Sequence, residues 1–414
     1  MERGSGDTGH VVRALRGAGP LTRQDLMAHT GLTRAQVDQR LEQLRQLDLV
    51  EDGSGSVVTG GRRARAISLR RRAGYVLSVA LGASGVTVAA VDLSGAIIDD
   101  RSQPIDIAAG PHDVLGTCVE LCQRVLDEVG GRPWAVGVTV PGPVDLDRGI
   151  VVSPPIMPGW DQFPIRDWLG DKLGLAAWLG NDANATALGE YRYGAGKGHR
   201  NMVYVKLGSG IGSGIIMGGV LQHGDGGCAG DVGHLPVPGQ TLPCRCGNIG
   251  CLEAVAGGFA LARVAEEIAE SGRSGVLTAM RENGPLNAAA LARAAEYGDN
   301  EALEVLQLAG AQIGEVLAFV VSLLNPSQLV IGGGLSYSGD VLLSSVRKSL
   351  YARALPLASR DLLVRRAALG EAGGVQGTAE LLYERLFSPL VLEQWSRSGS
   401  LSGRPDLTLE PPFL

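Results

Sequence analysis

A chain that carries His234 and then, within the next seventeen residues, Cys244, Cys246 and Cys251 has few ways of folding that stretch. One imidazole and three thiols on a Gly-rich turn offer the four nitrogen and sulfur donors that zinc takes tetrahedrally, the Cys-x-Cys pair and the third Cys filling three positions and His234 the fourth. The other reading is of ordinary buried or disulfide-bonded cysteines. Disulfides belong to oxidising compartments, and no export signal is visible. With all four positions filled the zinc is expected to be structural. Cys118 and Cys122 form an i, i+4 pair that one face of an amphipathic helix explains, and Cys228 stands alone without an assigned role.

At 414 residues with 45 % hydrophobic content, the chain can build two or three cores. No apolar run approaches the ~20 residues needed to span a bilayer, and the first residues lack a signal peptide's apolar segment, so a cytoplasmic location without membrane partners is expected. Charge is unevenly placed. The net charge is −6, yet residues 1–75 hold 13 arginines, no lysine and eight carboxylates. A basic head on an acidic body is the asymmetry expected when one segment meets nucleic acid.

Within that head, Val11, Val12 and Leu15 mark an apolar-periodic stretch. Thr22-Arg-Gln-Asp25 and Thr33-Arg-Ala-Gln36 each place a capping hydroxyl three residues before a side chain that can reach back, which predicts two helices around the turn Thr30-Gly31-Leu32. The second helix buries Val37, Leu41, Leu44 and Leu47. Thr33, Arg34, Gln36, Gln39 and Arg40 are expected on its open side as DNA-binding residues, Arg and Gln being readers of guanine and adenine edges. Asp38 and Glu42 on the same helix oppose phosphate. Arg62 and Arg63 then lie at the tip of a strand pair, a wing suited to phosphates or a narrow minor groove. The bland alternative is a helical interaction domain with a solvated Arg-rich face.

The body repeats one pattern. Segments beginning near Tyr75 and near Asn201 each read as strand, Gly-rich bend and strand, hairpins whose backbone N–H groups can approach phosphate. Around them stand Val140-Pro-Gly142-Pro-Val, Ser153-Pro-Pro-Ile-Met-Pro-Gly-Trp160, Asn181-Asp182-Ala-Asn184, Gly208-Ser-Gly-Ile-Gly212, Asp231-Val-Gly-His234, Glu253 and Val330-Ile-Gly-Gly-Gly334. In this order they resemble the ROK family of bacterial sugar kinases and derived repressors, over about Gly9 to Phe387, and the head resembles the repressor branch. The resemblance implies an α/β chain: a winged helix-turn-helix over 1–72, then over 73–387 a two-lobed, actin-like (ribonuclease H-like) sugar kinase fold with a zinc-binding loop. Residues 388–414, rich in Ser, Pro and Gly, read as a flexible tail.

The same resemblance implies sugar contacts from Gly142, Asn181, Asp182, Asp231, His234 and Glu253, with Asp182 the base that takes the sugar hydroxyl's proton if the chain is an active kinase. An Asx-turn carboxylate is the alternative for Asp182. One nitrogen of His234 would hold zinc and the other a sugar hydroxyl. Mg-ATP, needed only by an active kinase, would meet Gly208, Ser209, Gly210, Gly212, Gly333 and Gly334. Three departures stand out. The family's Asp-x-Gly-Gly-Thr-Lys hairpin is Ala80-Leu-Gly-Ala-Ser84-Gly85 here, which removes a carboxylate that phosphoryl transfer uses. Its Glu-x-Gly-His begins with Asp231, and Ile156 replaces an Asn. The expectation is therefore a sugar-responsive DNA-binding regulator, acting as a homodimer or homotetramer on double-stranded operator DNA, with a sugar or sugar phosphate as effector. The alternative is an ATP-dependent sugar kinase that keeps a DNA-binding head.

Overall fold

The computed structural model describes residues 6–59, 62–337, 339–398 and 401, with the side chains of residues 7, 54–59, 62–64 and 72 excepted. The chain divides into two compact units, residues 1–182 with 374–414, and residues 183–373.

The first unit opens with α1 (Gly6–Ala18), α2 (Arg23–Thr30) and α3 (Arg34–Gln46), followed by the antiparallel strands β1 (Val50–Thr59) and β2 (Arg62–Leu69). Both capping boxes form: Thr22 and Thr33 each accept from the backbone three residues on, and Asp25 and Gln36 accept from Thr22 and Thr33 in return. Gly31 closes α2 at φ +71°, a left-handed conformation that glycine adopts without a Cβ clash, and donates to the Met27 carbonyl. Val11, Val12, Leu15, Leu26, Val37, Leu41, Leu44, Leu49 and Ile67 are buried where α1, α2, α3 and β2 pack on one another. Leu21 and Ile67 exchange backbone hydrogen bonds, adding a third edge to the wing.

Beyond the head come β3 (Tyr75–Leu81), β4 (Gly85–Asp92), β5 (Ile97–Pro104), α4 (Pro111–Val129), β6 (Ala135–Val140), the short β7 (Val144–Asp145) and β8 (Ile150–Val151), α5 (Ile165–Leu173) and β9 (Ala176–Asn181). The sheet order is β5-β4-β3-β6-β9. Its hairpin strands pair antiparallel, whereas β6 and β9 run parallel to β3. Cys118 and Cys122 are buried in α4, where burial pushes both thiols up, Cys122 to about 12. They pack as small hydrophobes.

The second unit repeats the topology. After α6 (Asp182–Tyr193), whose first residue closes the first unit, β10 (Met202–Leu207), β11 (Ile211–Met217) and β12 (Val220–Gln222) form the meander; α7 (Leu252–Ala256), α8 (Gly258–Glu270), α9 (Gly275–Arg281), α10 (Ala288–Glu296) and α11 (Asn300–Leu324) follow. Then come β13 (Gln328–Gly332), α12 (Asp340–Arg353), α13 (Pro356–Ser359) and β14 (Leu363–Arg366), giving the order β12-β11-β10-β13-β14. Among the described helices only α11 is long and apolar enough to cross a bilayer, and it packs as a core helix. A Cβ at its Gly310 or Gly314 would lie 2.6 or 2.4 Å from α12 carbonyls, so the two helices meet backbone to backbone.

The chain re-enters the first unit inside α14 (Ala372–Leu386) and ends its described part in α15 (Pro389–Ser398). Here the expectation of a flexible tail over 388–414 is corrected as far as Ser398: Val391, Leu392 and Trp395 are buried, and Trp395 packs among Trp134 and Phe387, while residues 399–400 and 402–414 lie outside the described residues. An apolar stripe hidden in a Ser-rich segment gains enough burial to hold a helix.

Candidate functional site

On the head, α3 presents Thr33, Arg34 and Gln39 to solvent, with Gln36 half-buried and its carbonyl oxygen held by the Thr33 cap. Arg40 is not on that face. It is 7 % exposed, and its Nη1 donates to Gln43 Oε1 at 3.2 Å, the same oxygen that accepts from Thr8 of α1 at 3.0 Å. Three residues after Val37 and four before Leu44, Arg40 lies on the buried stripe itself, which is why the placement on the open side fails. Arg40→Ala is therefore expected to lower the head's stability by about 1–2 kcal/mol through lost packing and hydrogen bonding. Thermal melting would show that loss, while the DNA sequences selected by the variant stay those of the wild type. Asp38 accepts from Arg23 at 2.6 Å, which offsets the carboxylate's repulsion of phosphate. The wing's strand pair closes at Thr59 and Arg62, but the side chains of Arg62 and Arg63 lie outside the described residues.

Within the first unit, Gly142 and Asn181 follow or end adjacent parallel strands: Val140 of β6 is in register with Asn181 of β9, and Asn181 Nδ2 donates to the Gly142 carbonyl at 3.1 Å. The carboxyl ends of parallel strands are where α/β sheets bind ligands. Asp182, 9 % exposed, stands in the first turn of α6. A Cβ on Gly142 would meet Pro154 and Met157 at 3.2 and 3.3 Å, so the Ser153–Trp160 loop is seated directly on it. Trp160, fully buried, anchors that loop by donating to the Ile107 carbonyl at 3.0 Å. Ala80 pairs with Thr87 inside the first hairpin, where the family's carboxylate would stand.

The second unit brings the four metal candidates together. The donor atoms of His234, Cys244, Cys246 and Cys251 lie within 4.8 Å of one another, His234 Nδ1 being 3.6 Å from Cys244 Sγ and Cys246 Sγ 3.7 Å from Cys251 Sγ. Tetrahedral zinc with bonds of about 2.3 Å to sulfur and 2.0–2.1 Å to nitrogen requires edges of about 3.8 and 3.6 Å, so the residues fit the ion. Burial, reinforced by the neighbouring thiols, pushes Cys251 up to about 12, and burial also raises Cys244. For Cys246 burial is outweighed by the Asn248 backbone N–H and the adjacent thiols, and its pKa falls below the ordinary value. With Nδ1 toward the cluster, His234 Nε2 faces Asp231, 4.0 Å from Oδ1. Gly250 keeps φ +75°; a Cβ there would strike the Gln240 carbonyl at 2.5 Å.

Glu253 stands two residues past the last thiol, and its Oε2 accepts from Ile211 N at 2.9 Å. The Gly208–Gly212 bend is thus tied to the metal loop. The carbonyls of Gly208 and Ser209 accept from the Gly258 and Phe259 amides at the start of α8, and a Cβ on Gly233 would strike the Ile211 carbonyl at 2.0 Å. Gly333, at φ +84°, lies against Leu207, so the Gly332–Gly334 run meets the Gly208 bend at the carboxyl ends of β13 and β10. Two Gly-rich loops converging there are of the kind that cradle phosphate. Sequence reasoning missed Glu190, a fully buried carboxylate of α6 whose neighbours give no local sign of its role.

The profile of the ROK family matches residues 76–385, and that described as bacterial regulatory protein, arsR family, matches residues 10–52. A glucokinase of Halalkalibacterium halodurans is 33 % identical over 75 % of this chain and 96 % of its own length. The DNA-binding transcriptional repressor Mlc of Escherichia coli is 26 % identical over 90 % of this chain and 92 % of its own. A crystal structure of a ROK family transcriptional regulator, described as a homologue of the E. coli Mlc protein, superposes with a TM-score of 0.80 at 25 % identity, covering 95 % of this chain and 99 % of that one.

Proposed function

Because the chain belongs to the ROK family, we propose that it is a sugar-responsive DNA-binding repressor whose kinase-like body serves as the sensor. The observation that carries this is the head: a capped, exposed reading helix and a wing joined to the body, in a stretch that lies before the ROK match at residue 76 and whose residues 10–52 match the arsR-type regulatory profile. Arg34 and Gln39, with Thr33 and Gln36 at the start of α3 and Arg62 and Arg63 of the wing, are assigned to operator DNA. Within the first unit, Gly142, Asn181 and Asp182 are assigned to sugar contacts; within the second, Asp231, His234 and Glu253 are assigned the same chemistry. Carboxylates, amide and imidazole satisfy sugar hydroxyls as acceptors and donors. Zinc held by His234, Cys244, Cys246 and Cys251 would be structural, fixing the imidazole so that Nε2 faces the sugar. A homodimer or homotetramer is assigned because one winged helix reads only a half-site.

The test begins with duplexes selected from a random library by the wild-type protein, whose affinity is then measured across sugars, amino sugars and sugar phosphates. At least one sugar should change operator affinity, since an effector acts only through its differential affinity for two states. Weak, sequence-independent binding, unmoved by every sugar, would sink the reading.

A kinase is the second reading, favoured by the glucokinase identity and by Asp182 at the head of α6. Its nucleotide would be held by Gly208, Ser209, Gly210, Gly212, Gly333 and Gly334. Against it stands Ala80, where positioning of phosphate and magnesium needs a carboxylate. A coupled ADP-release assay over the same sugars decides it, turnover restoring the kinase.

A further inference from the structure

The helices of the head pack on one another, yet one of them is shared with the body part of the first unit. On one side α1 joins the reading helix: Thr8, 5 % exposed, donates to Gln43 of α3, and the same Gln43 oxygen accepts from Arg40. On the other side α1 is seated on the body part of the first unit. Arg16 donates through Nε to the Leu93 carbonyl at 3.0 Å and through both terminal nitrogens to the two oxygens of Glu380 in α14, while its guanidinium lies over the Tyr383 ring, 4.2 Å from the centroid. The ion pair is nearly dry, its side chains 10 % and 4 % exposed. A Cβ on Gly9 would come 2.6 Å from the Phe387 carbonyl, so α1 also meets the α14–α15 corner with no room to spare.

α14 is itself pinned to the sheet of that unit. Thr378 and Thr139 share a buried hydroxyl contact at 3.0 Å, Tyr383 donates to the Val91 carbonyl at 2.8 Å, and Gln376 donates to that of Gly95 at 2.8 Å. A bidentate, desolvated Arg–Glu pair stacked on an aromatic ring is an inefficient source of stability, since an apolar contact of the same size does as well; what it fixes is orientation.

We propose that α1 is the splint through which the body holds the reading helix in its DNA-binding orientation, with Arg16 as the positioning residue on the Glu380–Tyr383 side and Thr8 as its counterpart on the Gln43 side. This deepens the repressor reading and rests on it for the DNA measurement, but not for the mechanical one.

The experiment uses the full chain and the variants Arg16→Met, Glu380→Gln and the exchanged pair Arg16→Glu/Glu380→Arg. Trypsin cleavage at Arg70–Arg72, the joint between wing and β3, reports head mobility without DNA or sugar. It is expected to accelerate about tenfold or more in each single variant, because each single change leaves a buried charge or its acceptor unmatched, and to slow only in part in the exchanged pair, which restores the charge match but not the contacts to the Leu93 carbonyl and the Tyr383 ring. On the library-selected duplex the single variants are expected to lose about tenfold in affinity and to lose the sugar's effect, while sugar affinity by calorimetry stays at the wild-type value. A merely structural Arg16 would lower melting and leave that ratio intact. Gly9→Ala, which disturbs the same seat without touching charge, should behave like Arg16→Met. Wild-type cleavage rates in all of these folded variants overturn the inference. A wild-type protein that ignores every duplex and sugar, with cleavage still accelerated in the variants, overturns the repressor reading and leaves the splint standing.

Discussion

Stripping zinc with a chelator, or replacing Cys251 by Ser, is expected to lower the melting of the second unit by about ten degrees or more while the first unit's transition stays in place. The stretch from Leu235 to Cys251 contains no helix or strand, only the isolated bridges Pro236 to Cys251 and Pro243 to Ile249 and a few turn hydrogen bonds. Ile249 is 65 % exposed, so the loop has little core of its own. Four donors placed at zinc's tetrahedral edges are then its chief constraint, and structural zinc contributes about 10–16 kcal/mol of apparent binding energy at neutral pH in small peptides. Calorimetry with and without chelator reads the effect, and unchanged traces would remove zinc from the account. Loss should extend to the sugar, because freeing Cys251 frees Glu253 and with it the Ile211 amide.

The pH dependence of that site has a definite sign. Cys251 and Cys244 have their metal-free pKa values raised, so below about pH 9 both hold protons that a bound zinc must displace. Apparent zinc affinity should therefore fall by about two decades per unit of pH decrease from these two thiols. Competition titrations against a chromophoric chelator between pH 6 and 8 would measure the slope.

What could be read from the sequence follows the range of the interactions involved. The caps at Thr22 and Thr33 are satisfied within three residues, the Cys cluster within seventeen and each Gly-rich hairpin within one bend, so residue types alone carry them. Two local signals were present and misread. Arg40 continues the i, i+3, i+4 stripe of Val37, Leu41 and Leu44, but its charge argues for solvent until Gln43 and Thr8 are seen beside it. In α15 the spacing of Val391, Leu392 and Trp395 is helical, masked by the serines and prolines around it. Arg16 and Glu380 lie 364 positions apart, and no pattern along a single sequence joins them. The candidate sugar residues are legible only through the family resemblance that their motifs carry, since Asn181, at the end of β9, and Glu253, in α7, also make hydrogen bonds that hold the fold.

Glu190→Ala is expected to destabilise the second unit by about 4 kcal/mol or more, among the largest effects of any single substitution outside the metal site. The carboxylate is 0 % exposed, and it accepts from the Ala195 amide at 2.8 Å, the Ala368 amide at 2.9 and 3.1 Å and the Leu369 amide at 2.8 Å. Three donors from two loops thus depend on one side chain. Truncation leaves them without the acceptor and opens a cavity, while Glu190→Gln turns an N–H toward donors and is expected to recover little. A Cβ on Gly194 would strike the Glu190 carboxylate and crowd the Leu369 side chain, so the loop after α6 is seated directly on the group that the truncation removes. Urea titration of both variants, followed by a probe in the second unit, should show a lowered midpoint with an unchanged slope. A midpoint within the error of the wild type would mean that water replaces the carboxylate at no cost. The Ala368–Leu369 loop leads directly into α14, whose later turns hold Arg16. The same substitution should nevertheless leave the trypsin sensitivity of the head unchanged for as long as the first unit stays folded, since what anchors the head is α14's seat in that unit.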